Sequence, residues 1–351
     1  MLRKRFSRLL GWACVLSCCL LLLAVGGALA AGSGYKIVRR MPVGGTGNWD
    51  GLAIDPDAQR LYVTRGTHVM VVDETSGKLV GDIPLANTKN VHHVAIAQDL
   101  GKGFTSNGSA STVTIFDLKT LKPISDVKVS GQDPDSIIYD SSTKRVFVFN
   151  AKSNNATVLD ANNGQVVGTV KLSGAPEQAL LDEKGNVFVN IDDKSSLVQF
   201  DAKTLAVKSE WSLKPCDGPS ALSYDAAHRR FFAACDKVMV VVNADTGKVV
   251  ASPAIGGDPD GNGYDPGTGL LFASCKEGLI SIIHQDSPDK YSAVGAVTTQ
   301  SGTSTMALDP KTHHVFTVTA DYRPAGAPTP DNPRPRPTQI PGSFVVLELA
   351  Q

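Results

Sequence analysis

DGLAIDPDAQRLYVTRGTHVMVVDETSGKLVGDIPL, residues 50–85, decides the fold. It holds four short apolar runs, residues 51–54, 61–64, 69–72 and 79–85, cut by turn signals at Asp55-Pro56-Asp57, Arg65-Gly66-Thr67 and Asp73-Glu74-Thr75-Ser76-Gly77-Lys78. Runs of this length, bounded by Gly, Pro and Asx, read as strands joined by tight turns. The same layout returns to the end of the chain, and an internal period near 40 residues governs every later inference.

Aligning on the second run places one aromatic in each unit: Tyr62, Phe104, Phe147, Phe188, Phe232, Phe272 and Phe316. Two Asx series agree with it. The first run ends in Asp55, Asp140, Asp182, Asp225, Asp265 and Asp309, with Ala97 the exception; the third is followed by Asp73, Asp117, Asp160, Asp201 and Asn243. A four-stranded antiparallel sheet with apolar residues on both faces cannot stand alone. Radial stacking of seven copies buries both faces and leaves short edges. The expected fold is all-β, a seven-bladed β-propeller, with the aromatic series packing blade on blade.

The last unit supplies three strands, residues 305–308, 315–319 and 344–349. The fourth is expected from residues 35–43, so that pairing of the two ends closes the ring. Residues 32–351 are therefore expected to form one domain. The last unit is interrupted by ADYRPAGAPTPDNPRPRPTQIPGS, residues 320–343, whose seven prolines favour extended, stiff backbone. This loop is read either as a cover for the blade edge or as a lid over the channel mouth.

Residues 1–30 read as a secretory signal. Arg3, Lys4, Arg5 and Arg8 precede an apolar run from residue 9 to 25, and cleavage is expected after Ala30. The product would be periplasmic or secreted, with no transmembrane segment after cleavage, and is expected to be a monomer. The 351-residue chain has 34 basic and 34 acidic residues; loss of those four bases leaves 30 against 34, mildly acidic. Charge alone gives no sign of a polyanion binder. Cys216, Cys235 and Cys275 remain after cleavage, none in a CxxC pattern. The repeat puts Cys216 and Cys235 at strand ends on one face, so that pair is expected to bond in an oxidising compartment.

The first residue of each innermost strand lies at the channel mouth. Shifting Asp50 by the repeat offsets gives Asp50, His92, Asp135, Glu177, Ser220, Asp260 and Ser304, with no apolar member. Two readings stand side by side. These side chains could serve the turn at each strand start, since Pro134, Pro176, Pro219 and Pro259 precede four of them. Alternatively, carboxylates facing one axis take up protons or share a cation, and oxygen donors with one His suit Ca²⁺, Mg²⁺, Mn²⁺ or Zn²⁺. Trp49 and His93 flank the ring as ligand-binding candidates. Arg65, at the end of a second strand, is read as a holder of an anionic group or as a partner of Asp50. Arg334 and Arg336 of the Pro-rich loop are read as able to reach the mouth. His313 and His314 are expected to be solvated in a turn on the opposite face.

Leu61-Tyr62-Val63-Thr64 resembles the YVTN repeat, and the mature chain resembles an exported YncE-like propeller over all seven units. The resemblance implies the fold and export; it departs from the motif at Arg65, where the repeat has Asn. Some relatives are implicated in binding single-stranded nucleic acid or in surface layers. Scattered basic residues, with no stripe interleaved with aromatics, argue against the former. Pro259-Asp260-Gly261 also resembles the metal-binding strand starts of lactonase propellers of the gluconolactonase type. That likeness implies Asp50, Glu177 and Asp260 as metal ligands and His92 or Asp135 as the base of an ester hydrolase. The first expectation is a binding scaffold for a small molecule or protein, without catalysis; the metal-dependent hydrolase and the nucleic-acid binder are its alternatives.

Overall fold

The computed structural model describes residues 32–86, 88–326, 335 and 337–351. The cleavage site after Ala30, and both Arg334 and Arg336, lie outside the described residues. Seven antiparallel sheets of four strands follow one another in chain order. Blade 1 runs Leu52–Asp55, Arg60–Thr64, His68–Asp73 and Leu79–Pro84. Blade 7 contains Met306–Asp309, His314–Thr319 and Val345–Ala350, and its outermost strand is the N-terminal Lys36–Pro42. Lys36 pairs with Ala350 and Pro42 with Val345, so hydrogen bonds between the two ends close the ring.

The core is divided among the blade interfaces. Seven hydrophobic clusters each draw on two neighbouring blades among the described residues. Every member of the aromatic series is essentially buried. Phe188 meets Phe231 of the next blade with centroids 4.3 Å apart, and Phe147 meets Phe200 at 5.7 Å. Each such side chain contributes about 1.5–3 kcal/mol by leaving water. The Asx series hold the turns: Asp73 Oδ1 accepts from the Ser76 amide at 2.7 Å, and Asp55 Oδ1 from the Ala58 amide at 3.0 Å. A short carboxylate reaching the backbone two or three residues on is what makes these turns tight.

Tyr322–Arg323 and Thr338–Gln339 pair as a short antiparallel ladder at the base of the Pro-rich insertion. Two expectations need correction. His313 and His314 are not simply solvated: His313 Nδ1 lies 2.9 Å from Asp265, and His314 Nδ1 2.6 Å from Glu348. Arg65 does not reach the surface. It is fully buried, donates to the carbonyls of Gly44 (3.2 Å) and Gly47 (2.9 Å), and lies 3.6 Å over the Phe344 ring. Burial pulls its pKa down to about 10. The guanidinium is a strut beneath the 43–49 segment and is unavailable to a ligand. Cys216 and Cys235 are disulfide-bonded with Cα atoms 5.5 Å apart, and Cys275 is free and buried.

Candidate functional site at the channel mouth

The innermost strands of blades 2, 3, 4 and 6 each begin with a register shift, at Val91/Val94, Pro134/Ile137, Pro176/Ala179 and Pro259/Gly261. A bulge puts an extra residue into the strand start and turns its side chain toward the axis. Consecutive His92 and His93 thereby both reach the channel, where a regular strand would have sent one into the blade. Gly51 permits the approach, because a Cβ there would stand 2.5 Å from the His93 ring.

The ring side chains meet one another. His92 Nδ1 bonds Asp50 Oδ2 and lies 3.7 Å from Asp135 Oδ1, while Asn90 Nδ2 sits 2.8 Å from His92 Nε2. His93 Nδ1 is 3.5 Å from Asp135 Oδ1, and Ser304 Oγ donates to Asp260 Oδ2 at 3.3 Å. Ser220 Oγ donates to the Pro259 carbonyl at 2.6 Å. The turn-serving reading fails here. Among the described residues no backbone amide donates to the side chains of Asp50, Asp135, Glu177 or Asp260; the mouth-loop amides go to main-chain carbonyls, as Ala151 N to Asp133 O and Lys276 N to Asp258 O, or to other side chains, as Ala175 N to Asp193 Oδ1 and Asp258 N to Asp236 Oδ1.

Charge packing sets the protonation of this ring. Burial pulls His93 down, but the Asp135 contact and the charges of Asp50, Asp135 and Asp260 outweigh it and lift the imidazole to about 9. His92 is raised for the same reason: burial opposes protonation, and Asp50 and Asp135 overcome it. Asp135 goes the other way, held below its usual range against burial by the two imidazoles. Burial pushes Glu177 up to about 8, helped by Asp135, Asp192 and Asp260. Asp260 is also raised, by burial and then by Asp50. The mouth thus sets two imidazoles that favour their charged form against the carboxylates of Asp50 and Asp135, beside two carboxyls, Glu177 and Asp260, that hold their protons more tightly than usual.

Two depressions open on this face. One of about 470 Å³ is lined by Trp49, Asp50, Asp260, Ser304, Tyr322 and Lys276. The other, about 410 Å³, shares Asp260 and Lys276 with it and adds Glu177, Asp192, Asp217 and Asp236. Trp49 packs on Phe344 at 5.2 Å and on Tyr322, from the base of the Pro-rich insertion, at 6.3 Å. Sequence reasoning missed Tyr322, Lys276, Asp192 and Asp236. The last three directly follow second strands ending at Cys275, Ile191 and Cys235. The strand ends themselves are buried, with Asn107 and Asn150 bracing the loops through Thr114 and Thr157, so the exposed positions lie one residue further on.

For a metal the structure selects a different trio from the expected one. Asp50, His92 and Asp135 offer donor atoms within 4.8 Å of one another. Glu177 and Asp260 fall outside that group, so the set Asp50, Glu177 and Asp260 does not gather as a chelate. The donor chemistry of the observed trio, two carboxylates and an imidazole, fits a divalent ion.

A closed ring of seven four-stranded sheets around a polar channel mouth defines a seven-bladed β-propeller. No family model matches the chain. It is 23% identical over 154 residues to the uncharacterized protein YncE of Salmonella typhi, a match spanning 42% of this chain and 43% of that relative, less than half of either. It is also similar to the hydrazine synthase of Kuenenia stuttgartiensis, with a TM-score of 0.68 at 16% identity over 78% of this chain and 94% of that one; the second likeness speaks to fold alone. Taken with the seven-bladed ring, the first likeness fits a YncE-like propeller. Among the described residues no helix is long and apolar enough to cross a membrane.

Proposed function

We infer that this is an exported, non-catalytic binding propeller that holds a small organic cation at the channel mouth. One observation carries the reading: a single cavity joins the aromatic wall of Trp49 and Tyr322 to the carboxylates of Asp50 and Asp260. An aromatic face and an unneutralised carboxylate both attract an alkylammonium group, and the attraction grows where water is partly excluded. The raised pKa values of Asp260 and Glu177 agree with it: burial first, and then neighbouring carboxylates, keep their protons on, and a bound cation would favour the charged forms. The same acidity opposes a nucleic-acid backbone at this face. A crystal structure grown with choline tests the reading: the trimethylammonium group should sit between the Trp49 ring and Asp260. Its absence at saturating choline would count against the reading.

A second reading rests on the compact Asp50, His92 and Asp135 group. A divalent ion there would polarise an ester carbonyl beside the His93–Asp135 pair, the requirement of a lactonase-like hydrolase. Metal analysis of protein purified without chelator separates the two. Stoichiometric Ca²⁺, Mg²⁺, Mn²⁺ or Zn²⁺ that disappears in Asp50→Ala favours the hydrolase; metal-free protein favours the binding propeller.

A further inference from the structure

The blades are tied together by a repeated clasp on the face opposite the mouth. A basic residue opening one blade's second strand reaches turn carbonyls of the next blade. Arg60 donates to Leu118 O at 2.6 Å, Lys102 to Asn162 O at 2.6 Å, and Arg145 to Ala202 O at 2.8 Å. At the seam where the ring closes, blade 7 has His314 in this position, and His314 turns to Glu348 instead. Arg39 of the N-terminal strand supplies the clasp. It donates to the carbonyls of Glu74 and Thr75 and, through Nε, to Glu348 Oε2 at 2.5 Å.

Blade 6 has Gln285 at the equivalent position, its side chain hydrogen-bonded to Asp225, and Glu74 of blade 1 departs further from the repeat. Its amide bonds the Gln59 carbonyl as the amides of Leu118, Ala161, Ala202 and Ala244 bond Gly101, Lys144, Gly185 and Arg229. Those four blades bury an apolar side chain at this position; blade 1 buries a carboxyl, 7% exposed, whose Oε1 has no hydrogen-bond partner. An unpaired buried carboxyl is costly, and four blades fold without one. Glu74 lines a cavity of about 370 Å³ together with Val38, Arg39, His314, Phe316 and Glu348.

The geometry points to a second ligand site at the ring seam, where the Glu74 carboxylate takes the cationic head of a small amine or amidine whose apolar body lies against Val38 and Phe316. Arg39 and His314 are committed to Glu348, so Glu74 is the carboxylate left without a side-chain partner. A bare metal ion does not fit: among the described residues, the His, Asp and Glu donors that gather within 4.8 Å do so at the mouth. An organic cation needs one carboxylate and an apolar wall, and both are here. Burial, then Asp309, Glu348, Asp55 and Asp73, push Glu74 up to about 7. Arg39 and His314 face the same cavity from the two strands packed on it.

Benzamidine is the probe, titrated calorimetrically into the purified protein at pH 6 and pH 8. Wild type should bind at pH 8 and more weakly at pH 6, where Glu74 holds its proton. Glu74→Leu, which installs the residue blade 2 uses, and the near-isosteric Glu74→Gln should each weaken binding about 10–100-fold, the loss of one charge-assisted hydrogen bond. Both Glu74 variants are also made on an Asp260→Asn background, which weakens the cation site at the mouth, so that the loss that follows Glu74 is read at the seam. No benzamidine binding by wild type at either pH, or undiminished binding by both Glu74 variants, overturns the proposal.

Discussion

His93 and Asp135 face each other across the channel mouth from neighbouring blades, Nδ1 and Oδ1 3.5 Å apart, and each holds the other in its charged form. The contact links pH to stability. His93 is raised from 6.5 to about 9, so its contribution is whole below pH 6.5 and lost as pH climbs through 9. Asp135 is depressed, so its contribution is whole above its ordinary 3.8 and lost as pH falls below that. With chelator present, the urea midpoint of wild type should fall between pH 6.5 and 9. His93→Gln should remove on the order of 1–3 kcal/mol at pH 6 and flatten that decline. A wild-type midpoint that is level from pH 6 to 10 would contradict the pairing.

Glu177 acts with the same sign for another reason. Its carboxyl is raised from 4.5 to about 8, so the folded state keeps a proton that the unfolded chain gives up, and stability drains as pH rises through that window. Glu177→Gln removes the cost of burying a charge there and the repulsion from its acidic neighbours. The variant should match wild type near pH 5 and exceed it by about 1–3 kcal/mol at pH 9 in thermal or urea unfolding. Equal destabilisation at both values would mean that the carboxylate is paired, against the geometry.

Arg65 is a structural strut. Its two carbonyl partners and the Phe344 ring lose their cation in Arg65→Ala, which should cost about 2–4 kcal/mol. Arg65→Lys keeps the charge but cannot serve both carbonyls in one plane, and should recover part of the loss. Unchanged stability in the alanine variant, measured by urea unfolding, would show that the guanidinium carries no load.

Ring closure depends on residues 36–42. Deleting them uncovers Leu347 and Leu349, both fully buried in blade 7, and leaves an unpaired edge. The shortened protein should lose about 5 kcal/mol or more, or aggregate, and its unfolding should broaden as blade 7 detaches. A sharp transition at the wild-type midpoint would contradict the closure described here.

The architecture was legible because periodic packing leaves a periodic trace. Tyr62 through Phe316 recur once per blade, and the six aspartates that end the first strands recur with them. The mouth was half legible. Asp50, His92, Asp135 and Asp260 do converge, since strand starts map onto one rim. What periodicity cannot report is which way a side chain turns at a strand end. Arg65 occupies a position that looks outward on paper, yet the glycines of 44–47 fold a segment over it. A bulge invisible in the alignment brought His93 beside His92, and burial of the second-strand ends moved the exposed rim one residue on, to Asp192 and Asp236. Glu74 was readable all along, as an acid among Leu118, Ala161, Ala202 and Ala244, but the signal emerges only when buried positions are compared across blades.

The most direct measurement for the mouth is calorimetric titration of choline at pH 8, with glucose as the uncharged control. Wild type should bind choline and not glucose. Trp49→Ala and Asp260→Asn should each weaken binding about tenfold, the contribution of one aromatic or one carboxylate contact. Choline binding that survives both mouth substitutions, or no choline binding at all, would contradict the account.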